Sequence, residues 1–132
     1  DAERIYQVGL HGKIGDQDLH VANTCPPLAA AMVADIPEVQ DATRISSLFS
    51  PSVRYGDKAF TEERSFYVDS NFFDFFSFKL IEGDARTALK EPNSVVLTSE
   101  MAKKYFGDES PMGKLMVIGD DNKSFKVTGL VA

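Results

Sequence analysis

The sequence has few of the side chains on which reactive sites depend. Its 132 residues contain no tryptophan, two histidines and one cysteine. The single Cys25 excludes an intrachain disulfide, and metal sites need several ligands at suitable spacing, for which the chain offers only these two histidines and one cysteine. We interpret His11 and His20 as surface or half-buried structural residues, and Cys25 as an inert thiol rather than a nucleophile. No catalytic, cofactor-binding or metal-binding residue is assigned.

The chain also lacks long apolar runs and an excess of basic residues. Its longest apolar stretches, such as residues 28–34, are far shorter than the ~20 residues that a membrane span needs. Acidic residues number 20 and basic residues 14, which gives a net charge of −6. This charge repels phosphate backbones and anionic lipid head groups, so we expect no nucleic-acid partner.

The length and the ends of the chain bound its organisation. A chain of 132 residues forms one domain most economically, and 43% hydrophobic with 26% charged residues is ordinary for a globular fold. The sequence begins without an initiator methionine and stops at VTGLVA, inside an expected strand. We therefore expect residues 1–132 to be a single domain that is a fragment of a longer protein.

The first third of the chain predicts two extended segments and a helix. RIYQVGLHGK alternates in a way that predicts an opening strand around Tyr6, Val8 and Leu10, and DLHVANT is a second extended piece. After a Pro-Pro pair, LAAAMVADI predicts a short helix that ends at Pro37. The buried face of this helix is expected to carry Leu28, Met32 and Ile36.

The middle of the chain predicts a strand followed by a hairpin. VQDATRISSLF is expected to form the strand. SVRYGDKAFTEERSFYVD predicts the hairpin, with a turn at Gly56-Asp57-Lys58 and a longer return strand. On that return strand, an apolar row is expected on one face. The row consists of Phe60, Phe66 and Val68.

Five of the ten phenylalanines lie within seven positions, which allows a membrane-inserting wedge, a partner-binding patch or core. Good N-cap residues precede them, so a helix of one to two turns is expected. Wedges usually carry basic residues, whereas this stretch is mainly acidic. Burial stabilises each ring by about 1.5–3 kcal/mol, so we favour core over an exposed partner patch. The five residues are Phe72, Phe73, Phe75, Phe76 and Phe78.

The last third predicts alternating short elements. FKLIEG and SVVLT are expected strands, and SEMAKKYFG is a helix capped by Thr98 or Ser99 and ended by Gly107. KLMVIG and SFKVTGLVA form a second hairpin around Asp120-Asp121-Asn122. The inner helix face is expected to carry Met101, Ala102, Tyr105 and Phe106. The predicted fold class is α+β, a mixed, largely antiparallel sheet with hairpins and about three short helices packed on it.

No known catalytic or phosphate-binding motif is present. Glu62 and Glu63 alternate along an expected strand and point to opposite faces, so they do not share a proton. Asp120 and Asp121 lie in a turn that favours such residues for backbone reasons, and a cation site there is a minor alternative. GDESPMGK does not have the spacing of a phosphate loop. We therefore predict that the protein is not an enzyme.

The order of motifs resembles a known family. The segments TCPPLAAAMVADIPEV, VRYGDKAFTEERSFYVDSNFFDFFSFKLIEGD and ALKEPNSVVLTSEMAKKYFGDESPMGKLMVI precede a closing FKVTGLV strand. Within them stand D-x-x-F-F-x-x-F, G-D-x-x-x-x-L-x-x-P-N-S-V-V-L-T and A-K-K-Y-F-G-x-x-x-P-x-G-K. Nearly the whole chain is similar to the extracytoplasmic (periplasmic) core domain of MacB/FtsX-like ABC transporter permeases, Bacteroidota type. Cys25 stands where relatives often carry a small residue, so no role is assigned to it.

The resemblance implies a function that composition does not. It implies a non-catalytic domain on the periplasmic side of the bacterial inner membrane, in a membrane-integral parent protein. The domain would transmit ATP-driven motion and contact cargo or partner proteins. The implied partners are a cytoplasmic ABC ATPase subunit, a second permease copy, and periplasmic or outer-membrane proteins. The family domain continues beyond the closing strand, so its C-terminal part is expected to be absent here.

Two other classes of function remain open from the residues alone. An extracytoplasmic ligand-binding or sensing domain would need a concave apolar cavity with convergent polar groups. A hydrolase would need a reactive nucleophile beside a base, for which only Cys25 and the histidines are available. The tips of the two predicted hairpins are further candidates for contact edges.

Overall fold

The computed structural model describes residues 2–132, which form two compact units. The first unit ends at Ala42, and the second unit is Thr43–Ala132. Each unit has its own sheet structure and is described separately. Within the described residues, no helix has the length and apolar character needed to cross a membrane.

The first unit contains two strands and a helix, as the sequence predicts, and the structure shows that the two strands pair as a hairpin. After a short 3₁₀ turn, β1 and β2 pair antiparallel, and helix α1 follows. The opening strand lies further along the chain than expected, because Tyr6 and Val8 precede its first residue. The elements are the 3₁₀ turn Ala2–Arg4, β1 Leu10–Ile14, β2 Gln17–Val21 and α1 Leu28–Asp35.

Helix α1 has the predicted position but not the predicted buried face. Its C-cap is Ile36, immediately before Pro37. None of its residues is buried: Leu28 and Met32 are half-buried, and Ile36 is 39% exposed. The physical reason is size. A unit of about 40 residues with one two-stranded sheet has little surface against which a helix can be buried.

The second unit holds a five-stranded sheet, a separate two-stranded sheet and two helices. The strand order of the larger sheet is β5-β4-β8-β9-β7, with β7 parallel to β9 and the other pairs antiparallel. This mixed sheet with short helices confirms the α+β class. The elements are β3 Ile45–Leu48, β4 Ser52–Tyr55, β5 Lys58–Thr61, β6 Ser65–Val68, α2 Phe72–Phe75, β7 Ser94–Thr98, α3 Ser99–Phe106, β8 Leu115–Ile118 and β9 Ser124–Val131.

The first predicted hairpin forms, but its return strand divides in two. Strand β5 pairs with β4, whereas β6 leaves this sheet and pairs with β3. The break lies at residues 62–64, where the Glu62 side chain turns toward α3 and ends the alternation. The expected apolar row is therefore wrong, since Phe60 and Phe66 are 43% and 58% exposed. The strand predicted over residues 39–49 is limited to β3.

The core of the second unit lies between α3 and the large sheet. Helix α3 contacts the neighbouring strands β7 and β9. Its expected inner face is confirmed, because Ala102, Tyr105 and Phe106 are buried and Met101 packs against them. Burial of these side chains supplies the main stabilisation of the unit. The cluster consists of Val53, Leu97, Ala102, Tyr105, Phe106, Met116, Val127 and Leu130.

The segment after the phenylalanines runs beside β9 without forming the predicted strand. The Ile81 N–H donates to the Leu130 carbonyl at 2.7 Å, and the Leu130 N–H donates to the Glu82 carbonyl at 2.9 Å. Gly83 follows with a φ of +94°, and a Cβ there would lie 2.5 Å from the Thr128 carbonyl oxygen. Only glycine fits this close approach of two backbones, so pairing stops at a single bridge.

Candidate functional site

The five phenylalanines form an aromatic cluster, the name used below for Phe72, Phe73, Phe75, Phe76 and Phe78. The predicted helix is confirmed as the single turn α2, which begins after Asn71. The rings pack on one another mostly edge to face, as aromatic pairs prefer. Their centroids lie 5.0 Å apart for Phe75 and Phe76, 5.1 Å for Phe72 and Phe76, and 5.2 Å for Phe72 and Phe73.

The interpretation of the aromatic cluster as core is wrong for most of its members. Phe73 is buried, whereas Phe72, Phe75 and Phe76 are half-buried and Phe78 is 50% exposed. None of the five belongs to the core cluster beneath α3. Helix α2 spans only Phe72–Phe75 and spreads adjacent side chains around its axis, so it turns only some of them inward, and Phe78 lies beyond the helix. The cluster is therefore a partly exposed apolar surface, which is the alternative that the sequence left open.

A salt bridge fixes the chain that leads into the aromatic cluster. The carboxylate of Asp69 accepts hydrogen bonds from Nη2 and Nε of Arg44 at 2.8 and 2.9 Å, and from the Arg44 backbone N–H at 2.9 Å. The side-chain hydrogen bond from Arg44 lowers the pKa of Asp69, against the opposing effect of partial burial. The pair ties the start of β3 to the end of β6, directly before α2.

One of the two carboxylate pairs has a structural task that the sequence did not reveal. Glu62 accepts a hydrogen bond from the Tyr105 hydroxyl at 2.6 Å and one from Lys104 Nζ at 2.7 Å. Burial of Tyr105, and then its hydrogen bond to Glu62, raises the pKa of the phenol. Partial burial opposes ionisation of Glu62, but the two hydrogen bonds outweigh it and lower the pKa of the carboxyl. Glu63 is exposed.

The first hairpin is also attached to α3 through its tip. The turn consists of Gly56 and Asp57, and Lys58 already belongs to β5. Lys58 Nζ donates to the carbonyl oxygens of Lys104 and Tyr105 at 3.0 and 3.1 Å. A cation at the C-terminal end of a helix is favoured by the orientation of its carbonyl groups. This predicted contact edge is therefore partly engaged within the domain.

Two polar side chains in the turn of the second hairpin interact with cations of the chain itself. Asp121 pairs with Lys123 at 2.9 Å, and the Asn122 side chain accepts a hydrogen bond from Arg54 on β4. The hydrogen bond from Lys123 lowers the pKa of Asp121. Within residues 2–132, no group of three or more histidine, cysteine or acidic side chains is arranged to hold a metal ion.

The structure brings the two histidines together, which the sequence did not predict. His11 and His20 are opposite each other in the β1–β2 register, and their rings stack with centroids 3.9 Å apart. Both are exposed, which agrees with the surface interpretation. A shallow, open depression of about 360 Å³ adjoins them, so it is not the enclosed apolar cavity that a sensor would need. Cys25 is exposed and has a free thiol.

The motifs that carry the family resemblance are explained by folding rather than by chemistry. Gly83 allows the close approach to β9, and Thr98 caps α3 by accepting the Met101 N–H at 3.2 Å. Gly107, with a φ of +61°, ends α3, and its N–H donates to the Lys103 carbonyl at 2.9 Å. These positions determine turns and helix ends.

The sequence matches the family of MacB-like periplasmic core domains over residues 3–132. This match covers nearly the whole chain, so the protein belongs to that family. The α+β fold, the ordered motifs and the family match therefore identify a periplasmic core domain of the type found in ABC transporter permeases. No curated protein sequence matches the chain.

Two solved structures are similar to this domain. The periplasmic region of MacB from Actinobacillus actinomycetemcomitans is 26% identical, with a TM-score of 0.65 over 78% of this chain and 48% of that one. A domain described as part of a permease protein from Porphyromonas gingivalis is 22% identical, with a TM-score of 0.69 over 88% and 50% of the two chains. This second likeness concerns the fold alone. The chain spans about half the length of both structures.

Proposed function

We propose that residues 1–132 act as one non-catalytic domain on the periplasmic side of an ABC transporter permease. The domain passes ATP-driven motion to cargo or partner proteins outside the inner membrane. The observation that carries this proposal is the family match over residues 3–132. The proposed partners are a cytoplasmic ATPase subunit and a second permease copy, both acting through the parent protein, together with periplasmic or outer-membrane proteins.

Two features of the second unit support a mechanical role. Its core couples α3 to the large sheet, and Lys58 and Glu62 tie the β4–β5 hairpin to the same helix. A closely packed interior transmits displacement because it has little room to deform. The aromatic cluster supports the contact role, since a partly exposed group of apolar rings is a common type of protein-binding surface.

The first experiment examines the full-length gene product. The proposal expects this product to fractionate with membranes and to retain an ATP-hydrolysing subunit after detergent extraction. A full-length protein that remains in the soluble fraction, with no hydrophobic segments beside this domain, would overturn the proposal. It would favour a secreted ligand-binding domain instead.

A second experiment separates transmission of motion from assembly. The full-length permease carrying Met116→Asp, which places a charge at a fully buried position, is compared with Leu115→Asp at an exposed neighbouring position. We expect Met116→Asp to retain the ATPase subunit and its basal ATP hydrolysis. It should nevertheless fail to restore the wild-type cell-envelope phenotype to a strain from which the permease gene is deleted. Complementation by Met116→Asp at normal expression would contradict the transmission role.

A further inference from the structure

The β1–β2 hairpin carries a pair of imidazoles that the proposed function does not use. His11 and His20 are direct register partners, and their ring centroids lie 3.9 Å apart. Residues opposite each other in an antiparallel ladder project from the same face, with Cβ atoms about 4.5–5.5 Å apart. The backbone pairing of the two strands therefore holds the imidazoles side by side.

Small residues leave one side of this pair uncovered. Continuing the register places Gly9 beside Ala22, and a Cβ on Gly9 would lie 2.7 Å from the Val21 carbonyl oxygen. These residues and the two histidines line the open depression of about 360 Å³. A volume of that size holds several waters at about 30 Å³ each. The imidazoles therefore face a solvated space in which a further ligand has room.

We propose that His11 and His20 form a two-histidine binding site for a divalent transition-metal ion of the class that imidazole prefers, with Zn²⁺ as the reference ion. Imidazole nitrogen is a good ligand for zinc, copper and nickel. Two zinc–nitrogen bonds of about 2.0–2.1 Å at a tetrahedral angle require nitrogens about 3.4 Å apart. Waters in the depression complete the coordination shell.

The site requires a change of ring orientation but no change of backbone. The stacked rings are inclined by 25°, so a metal ion does not lie in both ring planes until the rings turn about their side-chain bonds. Both side chains are exposed, so packing does not oppose this rotation. Lys13 and Asp18 form the next cross-strand pair on the same face, so their charges offset each other beside the histidines.

The test uses the untagged chain with Cys25→Ser as background, because the exposed thiol is itself a zinc ligand. Calorimetric titration with Zn²⁺ should show one ion bound per chain. His11→Gln and His20→Gln should each weaken this binding at least tenfold, since either change leaves a single imidazole. The control variant, Asp121→Asn, keeps both histidines. It removes a surface carboxylate far along the sequence and should leave the binding constant for Zn²⁺ unchanged.

Hydrogen exchange provides a local readout that adventitious binding would not produce. A metal ion that joins β1 to β2 should slow amide exchange in Leu10–Ile14 and Gln17–Val21, by about a hundredfold at a free ion concentration of 100 Kd. Exchange in β8 and β9 should not change. Unchanged zinc affinity in both histidine variants, or binding that occurs only in a zinc-linked dimer detected by sedimentation, would overturn the proposal.

Discussion

Helices α1 and α3 have the same length but opposite relations to their surroundings. In α1, LAAAMVAD, seven of eight residues are apolar, and no side chain is buried. In α3, SEMAKKYF, half of the residues are polar, and Ala102, Tyr105 and Phe106 are buried. The more hydrophobic helix is thus the more exposed one.

The difference shows what decides whether a helix is buried. The arrangement of its apolar residues and the presence of a surface to pack against matter more than the number of apolar residues. Helix α3 begins directly after β7, and Thr98 both ends the strand and caps the helix. The helix therefore folds back onto its own sheet with its apolar stripe inward. Helix α1 is apolar around most of its circumference, so its sequence specifies no single inner face. Its unit offers only a two-stranded sheet.

The largest expected effect compares truncations in these two helices. Phe106→Ala should lower the free energy of unfolding by about 3–5 kcal/mol, because it leaves a cavity beneath α3. Met32→Ala in α1 should lower it by about 1 kcal/mol or less, because that side chain is only half-buried. Urea unfolding followed by far-ultraviolet circular dichroism measures both. Equal losses for the two variants would break the comparison.

Helix α2 provides an intermediate case within the aromatic cluster. Phe73→Ala should lower the free energy of unfolding by about 1.5–3 kcal/mol, the transfer free energy of one buried aromatic side chain, because its half-buried neighbours enclose little cavity. Phe78→Ala should lower it by less than about 1 kcal/mol, because half of this ring is already exposed. The same urea series measures both variants. A larger loss for Phe78→Ala would mean that the rings form a buried core after all.

The buried hydroxyl of Tyr105 in α3 predicts that the free energy of unfolding decreases at alkaline pH. The pKa of Tyr105 is raised in the folded state, so its stabilising effect is complete below the ordinary tyrosine pKa of about 10 and is lost as pH rises through the folded value. Tyr105→Phe should lower the free energy of unfolding at pH 7 by about 1.5 kcal/mol, since Glu62 loses a donor.

The same variant should also flatten the dependence of stability on pH above about pH 10. Unfolding by urea at neutral and at alkaline pH measures both effects. Tyr55→Phe is the matched control. Tyr55 is also a tyrosine of the second unit, but it is half-buried, and in the described residues it makes no hydrogen bond to Glu62. If the free energy of unfolding of Tyr105→Phe still fell at alkaline pH as in the unmodified chain, the fall would belong to other titrating groups.

The smallest expected effect concerns the helix caps. Thr98→Ala should destabilise α3 by about 1 kcal/mol, because the Met101 N–H loses its acceptor. Thr98→Ser keeps the acceptor and should recover most of the loss. Pro27 stands at the N-cap of α1 without a side-chain hydrogen bond, so Pro27→Ala removes no capping bond. Hydrogen exchange at the first turn of each helix measures these changes, and a loss in Thr98→Ser as large as in Thr98→Ala would contradict the capping role.

Much of the secondary structure is predictable because its signals are local. Gly107, Thr98 and Pro37 mark helix ends through their own backbone geometry or side-chain bonds, and the structure confirms all three. The second hairpin is confirmed for the same reason, since β8 and β9 flank the turn that the sequence indicates. The family was also accessible from the sequence, because its motifs are these local signals in a fixed order.

Partner choice and burial are not local, and several predictions failed there, although the inner face of α3 is confirmed. The division of the return strand into β5 and β6 depends on Glu62 reaching Tyr105, 43 residues away. The incomplete burial of Phe72 and Phe75 depends on how few rings the single turn of α2 directs inward. The stacking of His11 on His20 depends on strand register. None of these follows from neighbouring residues.

The sequence by itself determined the element types, the α+β class and the family, because helix ends, turns and alternation arise from interactions between residues close in the chain. Only the tertiary structure decided the exposure of α1 and of most of the aromatic cluster, the pairing of β6 with β3 and which distant side chains meet. Those outcomes depend on contacts between distant segments, where a partner surface either is present, as for α3, or is small, as for α1.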